Sequence, residues 1–416
     1  MLDVNLIRQK PKVVEKGMRN RGLDSSVVGD FLAVDGRWRK LVDEIDGRRN
    51  EQKKLAQKKD FKKAGVIKEE IKKREKQLAG VTVERLKILE NIPNIPFADV
   101  PVGKNAAGNV VLKEVGQKPK FKFPPKDYLS LAESLGIIDV ERAAKVAGSR
   151  FGYLKGEAAL LELALIKFAF DKVVPLGFTP VFPPVLIRPE VLKGMGKVKF
   201  IENEEAFFIA KDNLYLVGSS EYTIGALYKD EILREADLPK RYIGFSTCFR
   251  REAGSYGKDT KGILRVHQFD KAELFSFCRP EDSEKEHQFL LSVQEKLMKL
   301  LKLPYRVVEI CTGDMGWADA RQYDIETWLA GQQQYRETHS ASNTTDFQAR
   351  GINSRFRRRA GQIEFLHTLN ATGLAIGRTI IAIIENYQTA KGTIKMPAVL
   401  KNLCFDLNEI QGLGGN

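Results

Sequence analysis

Two stretches near the start of the chain repeat apolar residues at intervals of three and four positions. The first repeat runs through Phe31, Val34, Trp38, Leu41 and Ile45. The second, in which Arg74 and Arg85 are interruptions, runs through Ala64, Ile67, Ile71, Leu78, Val81, Ile88 and Ile92. A charged segment around Lys58, Lys59 and Asp60 separates them. Two apolar seams on either side of a polar break predict an antiparallel helical hairpin, in which each helix buries its seam on the other.

The pattern changes after residue 93. Residues 93–126 hold six of the chain's 16 prolines, which predicts a connecting segment, with one short strand at Val110–Leu112. Beyond it, short β-rich runs alternate with helical stretches: the former include Tyr215–Val217, Tyr242–Phe249 and Arg306–Ile310, and the latter Ala158–Val174 and Ser283–Leu301. Neither a Gly-x-Gly-x-x-Gly motif nor a Gly-Lys-Ser/Thr phosphate loop occurs. We therefore predict an α+β fold with a mixed or antiparallel sheet and helices packed on it. The predicted domains are 1–104 with a helical arm at about 31–92, a linker at 105–126, and 127–416.

Charge narrows the choice of partners. The 416 residues include 68 Lys and Arg against 54 Asp and Glu, a net charge of +14. Residues 37–90 alone hold 18 basic and 10 acidic side chains, more than half of that excess. A long basic rod is suited to lie along phosphates, although a solvated coiled coil would carry charged outer positions as well. Both interpretations stay open at this point.

The remaining composition indicates an intracellular protein. Four widely spaced cysteines suit a reducing compartment, and no spacing of His and Cys predicts a zinc site. The polar N-terminus lacks the apolar core of a signal peptide, and no run of 18 apolar residues predicts a membrane span. We expect a cytoplasmic location.

The first candidate for chemistry is FRREAGSYGKDTKGILRVHQFDKAE at 249–273. If both ends form strands, Arg250 and Glu252 share one face, as do the alternate residues from Arg265 to Glu273. Between them, Gly254, Gly257, Asp259 and Gly262 predict a flexible loop. Guanidinium groups, an aromatic ring at Phe269 and carboxylates on one surface suit a nucleotide and an amine, whereas a solvated strand face is the plainer alternative.

Two further segments contain candidate functional residues. The nearly all-apolar run at 368–388 predicts a buried helix containing Arg378, with Gly373 and Gly377 allowing close approach of a ligand. A buried cation needs an anion, which is either a ligand phosphate or a protein carboxylate such as Glu385. In the segment 335–356, four residues offer oxygen ligands for Mg²⁺, although such clusters are commonly ordinary turns: Glu337, Ser340, Ser342 and Asn343.

In their order along the chain, these segments resemble a known family. GFTPVFPPVLIRPE at 177–190, FRREAG at 249–254 and GLAIGR at 373–378 look like motifs 1, 2 and 3 of class II aminoacyl-tRNA synthetases. The opening MLDVNLIRQKP, the arm, IPNIPFADVPVG, YDIETW and SNTTDFQARG extend the resemblance, from end to end, to the bacterial-type seryl-tRNA synthetases. That resemblance implies a coiled-coil arm followed by a class II catalytic domain on an antiparallel sheet flanked by helices. It also implies an ATP-dependent serine–tRNA ligase.

The resemblance implies a role for each matching residue. Arg250 and Arg378 would grip the α- and γ-phosphates of ATP, Arg265 the terminal phosphate, Phe269 would stack on adenine and Glu252 would help place the nucleotide. Glu337 and Ser340 would hold Mg²⁺ and the α-phosphate region. Glu273 would bind the ammonium group of serine. The other residues that would bind serine are Arg250, Ser219, Glu221, Thr372 and Asn370. The chain departs from the family pattern where Gly218 and Ser219 replace the usual Pro-Thr and where Ala371 and Thr372 replace the usual Gly-Ser. His339 also stands before Ser340, where the family commonly has a serine.

The implied partners are tRNA(Ser) at the basic arm, L-serine, ATP and a second copy of the chain through motif 1. Whether selenocysteine tRNA is also a substrate stays open. Two rival functions are considered. A non-catalytic tRNA-binding homologue is expected to lose at least one of four residues: Arg250, Glu273, Glu337 and Arg378. An enzyme that charges a carrier protein is expected to lack the arm. The chain keeps all four residues and the arm.

Overall fold

The structure is a computed structural model that describes residues 1–253, 261–404 and 406–412. The loop predicted at Gly254, Gly257 and Asp259 lies outside the described residues. The chain forms two compact units, Met1–Ile95 and Pro96–Asn416.

The first unit is helical, and its two long helices confirm the predicted hairpin. Its helices are α1 Val4–Gln9, α2 Pro11–Asn20, α3 Ser26–Gln57 and α4 Phe61–Leu89. Helices α3 and α4 run antiparallel, since positions 37, 44 and 52 meet positions 84, 74 and 64. The chain reverses where the polar break predicts it: Lys59 has a φ of 60°. Asp60 then caps α4 by accepting from the Lys63 N–H at 3.2 Å.

The apolar seams lie between the two helices. Ile45, Ile67 and Ile71 form one buried cluster, and Phe31 is fully buried. Helix α3 begins five residues before Phe31, and α4 ends at Leu89, so Ile92 is buried beyond the helix rather than on it. Periodicity therefore identified the hairpin but placed its ends several residues off, because caps and turns set helix ends.

The arginines that interrupt the second seam have partners on the first helix. Arg85 contacts the carboxylate of Asp35, with Nε 2.7 Å from Oδ1, and its guanidinium lies over the rings of Phe31 and Trp38. Arg74 donates from Nε to Glu44 Oε2 at 3.1 Å. Each interruption is thus a polar contact between the helices, which fixes the register of the hairpin.

The second unit is built on an eight-stranded sheet in the order β1-β11-β12-β13-β16-β10-β9-β4. All neighbouring pairs are antiparallel except β4 and β9, so the predicted sheet type is confirmed. The strands of this sheet are β1 Val110–Val115, β4 Thr179–Val181, β9 Lys240–Phe249, β10 Gln268–Cys278, β11 Tyr305–Glu309, β12 Arg321–Leu329, β13 Gln334–Asn343 and β16 His367–Ala375. Smaller sheets contain β2 Ile138–Asp139, β3 Tyr153–Leu154, β5 Leu186–Ile187, β6 Phe208–Ile209, β7 Leu214–Leu216, β8 Ile232–Arg234, β14 Arg355–Arg357, β15 Ile363–Phe365, β17 Ile394–Lys395 and β18 Glu409–Ile410.

Helices α7, α11 and α13 pack against this sheet and share its main apolar core. The helices of this unit are α5 Tyr128–Leu135, α6 Val140–Ala147, α7 Glu157–Val173, α8 Pro189–Gly194, α9 Val198–Glu202, α10 Glu221–Ile224, α11 Ser283–Leu300, α12 Phe347–Ile352 and α13 Ile376–Asn386. In the described ranges, no helix combines the length and apolarity required to cross a lipid bilayer.

Two segments differ from their sequence interpretation. The segment 105–126, interpreted as a linker with one short strand at Val110–Leu112, does contain that strand as β1, but the strand extends to Val115 and pairs with β11 at the edge of the main sheet. The apolar run at 368–388 is not one helix: Gly373 lies in β16 and α13 begins at Ile376. A run that is apolar on all sides fits a buried strand as well as a buried helix, so periodicity alone could not separate them.

Candidate active site

Strands β9 and β10 form the floor of the site. Gly244, Ser246 and Cys248 lie directly opposite Glu273, Lys271 and Phe269, and directly opposed residues of two strands share a face. The β9 side of this face therefore carries only small side chains. The larger side chains of β10 have room above them for a ligand.

The polar residues that flank this floor lie just beyond the strand ends. Strand β9 ends at Phe249 and β10 begins at Gln268, so the alternation expected for Arg250 with Glu252 and for Arg265 with His267 does not hold. Glu252 instead has a φ of 52°, and its carboxylate contacts the guanidinium of Arg265. His267 is turned to the Arg250 carbonyl, with Nδ1 at 3.0 Å.

A cleft with about 670 Å³ of open space lies over the floor. Eight of the site residues predicted from the sequence line it: Arg250, Glu252, Arg265, Phe269, Glu337, Ser340, Thr372 and Arg378. Lys271 and Gly377 line it too, and no role was predicted for Lys271. The tertiary structure thus brings residues from three strands (β10, β13 and β16), from the segment between β9 and β10, and from the start of α13 to one surface.

Cations and one aromatic ring dominate the cleft. The Arg250 guanidinium lies over the Phe269 ring, 5.3 Å from its centroid, and Arg250 Nε donates to the Gly218 carbonyl at 3.2 Å. Arg378 Nη1 donates to the Glu337 carbonyl at 2.9 Å and lies 3.3 Å from Glu337 Oε1. Burial disfavours the charged form of Glu337, but Arg378 and Arg250 outweigh it and hold the pKa of this carboxyl below its usual value.

Arg378 differs from its sequence interpretation in its exposure, and its protein partner is Glu337 rather than Glu385. Its side chain is 30% exposed at the cleft rather than buried in the core. Glu385, the protein carboxylate considered as its partner, instead accepts backbone N–H groups of Tyr128, Gly331 and Gln332 at 3.1, 2.8 and 3.2 Å.

Two buried carboxylates, Glu221 and Glu273, interact electrostatically with each other, and each contacts a lysine. Glu221 lies 2.8 Å from Lys197 Nζ and accepts from Gln348 Nε2 at 2.8 Å, and its own N–H donates to Ser219 Oγ at 3.1 Å. Glu273 Oε2 lies 2.6 Å from Lys271 Nζ.

These two carboxylates differ in acidity. Burial raises the pKa of each, but for Glu221 the charge of Lys197 outweighs burial and the pKa falls below its usual value. For Glu273, burial and the charge of Glu221 outweigh Lys271, so the pKa is raised. A pocket with one firmly charged and one less acidic carboxylate suits an ammonium group together with a hydroxyl.

Two residues predicted as Mg²⁺ ligands make contacts elsewhere, and Asn370, predicted to bind serine, does not line the cleft. Ser342 Oγ donates to Asp319 Oδ2 at 3.0 Å, and Asn343 Nδ2 donates to Ser283 Oγ at 3.0 Å. Asn370 lies within β16, paired with Ser342 and Phe275, and is not among the cleft-lining residues of the described chain. Of the four oxygen-bearing residues proposed for Mg²⁺, only Glu337 and Ser340 line the cleft.

Sequence reasoning missed Lys197 and Gln348, which hold Glu221 from two sides. They lie 24 and 127 positions from Glu221 along the chain, so no local pattern connects them to it. Chemically, the assembled site offers three arginines for phosphates, a ring for a base, and a carboxylate pocket for a small amino compound.

Known proteins match this chain along nearly its whole length. Residues 206–387 match the tRNA synthetase class II core domain (G, H, P, S and T), and residues 1–96 match the Seryl-tRNA synthetase N-terminal domain. A serine–tRNA ligase of Dictyoglomus turgidum is 41% identical over 413 residues, covering 96% of this chain and 97% of that protein. One from Acidothermus cellulolyticus is 44% identical over 412 residues, covering 97% of both. The crystal structure of seryl-tRNA synthetase from Pyrococcus horikoshii complexed with ATP superposes with a TM-score of 0.92 at 38% identity, covering 99% of this chain and 100% of that one.

Proposed function

The chain belongs to the seryl-tRNA synthetase family, and from this membership we infer that it is an ATP-dependent serine–tRNA ligase. In the first step the serine carboxylate attacks the α-phosphorus of ATP, forming seryl-adenylate as the bond to pyrophosphate breaks. In the second step a hydroxyl at the 3′ end of tRNA(Ser) attacks the seryl carbonyl, and AMP leaves. The observation that carries this function is the cleft lined by three arginines and Phe269, in which Lys271 of the same lining contacts the buried carboxylate of Glu273.

The nucleotide half of the reaction is assigned to the cleft. We propose that Phe269 stacks on adenine, that Arg250 and Arg378 bind the α- and γ-phosphates, and that Arg265, held by Glu252, binds the terminal phosphate. The attacking carboxylate is already ionised at neutral pH, so the step requires no general base. Catalysis then consists of alignment and of stabilising the charge that develops at the α-phosphate, which arginines fixed at the cleft wall can supply.

The same cleft contains oxygen ligands suited to Mg²⁺. Mg²⁺ binds hard oxygen ligands and commonly shares one or two carboxylates with substrate phosphates. Glu337 and Ser340 offer a carboxylate and a hydroxyl on one strand, and the lowered pKa of Glu337 keeps that carboxylate charged. We propose that these two residues hold the ion, which would neutralise phosphate charge when bound with ATP.

The serine half is assigned to the carboxylate pocket. Glu273 would bind the ammonium group of serine, and Arg250 would bind its carboxylate. The hydroxyl and amine would form hydrogen bonds with Ser219, Glu221 and Thr372. Thr372 lies directly opposite Glu273 in the sheet, and Ser219 receives the Glu221 N–H, which supports their assignment to one pocket. Asn370 stays in the proposal as a serine-binding residue, because it lies two positions from Thr372 on β16 and residues two apart on a strand share a face.

Amino-acid-dependent exchange of pyrophosphate into ATP tests this function. We expect exchange with L-serine, much weaker exchange with threonine, and a rate with alanine lower by roughly 10⁴-fold, because buried polar groups would be left unpaired. Alanine performing as well as serine would contradict the pocket assignment.

For tRNA, we propose the basic arm as the binding element and a homodimer as the active form. Support for the dimer comes from large apolar side chains left exposed within motif 1, where Phe182 is 74% and Leu186 is 39% exposed. The proposed domains are 1–104 for tRNA binding, 105–126 as a connection and 127–416 for catalysis. A cytoplasmic location stays a prediction.

A mixed dimer tests arm and dimer together. One subunit lacks residues 31–92, and its partner carries Arg250→Ala. If the arm of one subunit serves the active site of the other, this dimer keeps charging activity, whereas each parent homodimer loses it. A monomer by light scattering, or an inactive mixed dimer, would contradict the arrangement.

A further inference from the structure

One lysine ammonium already lies where the proposed substrate ammonium would bind. Lys271 Nζ is 2.6 Å from Glu273 Oε2, and both side chains are buried, at 7% and 1% exposure. Glu273 is the carboxylate assigned to the amine of serine. The ammonium of a lysine and that of an amino acid make the same contacts with a carboxylate, so the two compete for Glu273.

The other buried carboxylate of the pocket is held differently. Glu221 is contacted by Lys197 from one side and by the Gln348 amide from another, so its oxygens keep a neutral donor even when the lysine moves. Lys197 is also absent from the described lining of the cleft, whereas Lys271 lines it together with Arg250 and Thr372. Lys271 is therefore the lysine that can turn from the carboxylate towards a ligand in the cleft.

Displacing Lys271 has a cost that depends on the ligand. A bare amine that takes Glu273 leaves the lysine ammonium buried and without a partner, which is strongly unfavourable. An amino acid brings a carboxylate next to its ammonium, and this carboxylate gives Lys271 a new partner. The exchange then replaces one ion pair with two, and no buried charge is left over.

On the basis of the proposed function, we propose a role for Lys271 in substrate selection. Its ammonium occupies the substrate-ammonium position in the ligand-free pocket and moves to the substrate carboxylate when serine binds. Lys271 is thus a specificity-determining residue. It makes the pocket select amines that carry an adjacent carboxylate, in addition to the selection for a hydroxyl.

Direct binding of two probes to the full-length protein tests this inference. L-Serine and 2-aminoethanol share the ammonium and hydroxyl groups and differ only in the carboxylate. Calorimetric titrations without ATP compare the wild type, Lys271→Met and, as a matched control, Lys197→Met. For Lys271→Met we expect serine affinity to fall by about 10- to 100-fold, since a hydrogen bond to a charged group is lost, while 2-aminoethanol binds as well as before or better. The ratio of the two dissociation constants should therefore fall by at least about 10-fold.

The control distinguishes this role from general support of the pocket. Lys197→Met removes a lysine from Glu221, which both probes would contact, so we expect both to weaken and their ratio to stay within about threefold. If Lys271→Met fails to fold by circular dichroism, Lys271→Gln, whose amide can still donate to Glu273, is measured in its place. An unchanged ratio in the folded variant overturns the inference while leaving the ligase function intact. If the wild type prefers another amino acid to serine, the proposed function itself fails.

Discussion

The two units of the chain both bury carboxylates beside cations, but they satisfy them in different ways. In the arm, Asp35 is fully buried, and both of its oxygens are bound by guanidinium groups of Arg8 and Arg85, with Arg39 at 3.2 Å. In the catalytic unit, one oxygen of Glu273 contacts the ammonium of Lys271. Arginine forks fix two oxygens at once, whereas a lysine is a single point charge on a flexible stem. A saturated carboxylate holds structure, and one held by a movable cation can exchange it for a ligand.

Removing the arm should produce the largest effect and separates the two units by function. Deletion of residues 31–92, with a short linker in their place, should lower aminoacylation of tRNA(Ser) by on the order of 10⁴-fold, because the bound tRNA is no longer positioned. Serine-dependent pyrophosphate exchange should persist, since the catalytic unit has its own core. Charging by the intact enzyme should also weaken with added salt while exchange does not. If the armless protein charges tRNA normally, the arm is only structural.

Breaking the saturated carboxylate should destabilise the arm without affecting activation. Asp35→Asn leaves arginines without their counter-ion, and we expect the free energy of opening of α3 and α4 to fall by about 3–5 kcal/mol. Hydrogen exchange followed by mass spectrometry measures this opening. Glu84→Gln, which removes an exposed pair with Arg37, is the matched control and should cost less than about 1 kcal/mol. A similar cost for both would mean that burial of Asp35 adds nothing.

In the cleft, removal of one arginine should impair chemistry more than folding. Arg250→Ala and Arg378→Ala should each slow adenylate formation by on the order of 10²-fold, about 3 kcal/mol, because each removes a donor that stabilises charge in the transition state. Single-turnover adenylation measures the rate, and thermal melting checks the fold. Normal adenylation in both variants would refute their assignment.

Acid should distinguish the two units as well, because all four histidines lie in the catalytic unit. Burial lowers the pKa of His287 and of His339 to about 4, so the folded protein keeps both neutral at a pH where the unfolded chain is protonated. Their contribution to stability is complete above the unfolded pKa of about 6.5 and is lost as pH falls towards 4, by about 2 kcal/mol for each residue at pH 5.

Denaturant unfolding at pH 7 and pH 5 measures this loss. In the double variant His287→Gln, His339→Gln, the difference in stability between the two pH values should shrink by about 4 kcal/mol relative to the wild type. An unchanged difference would mean that these histidines are protonated in the folded state.

What the sequence determined by itself is carried by local patterns. The spacing of Phe31, Val34 and Ile45 requires a helix with one buried side, and the polar residues at 58–60 end it, so the hairpin follows from the chain alone. The motifs at 249–273 and 373–378 also supplied five of the eight predicted residues that line the cleft, because their residue types match the chemistry of phosphates and amines.

What only the tertiary structure decided depends on residues far apart in the chain. The sequence could not show that Lys197 and Gln348 hold Glu221, that Arg85 pairs with Asp35 across the hairpin, or that Ser342 and Asn343 are engaged away from the cleft. Nor could it show that Gly373 lies within a strand rather than in a helix. A local pattern records which face of an element is buried, but the partner of a buried polar group is set by sheet order and packing, which bring distant residues within hydrogen-bonding distance.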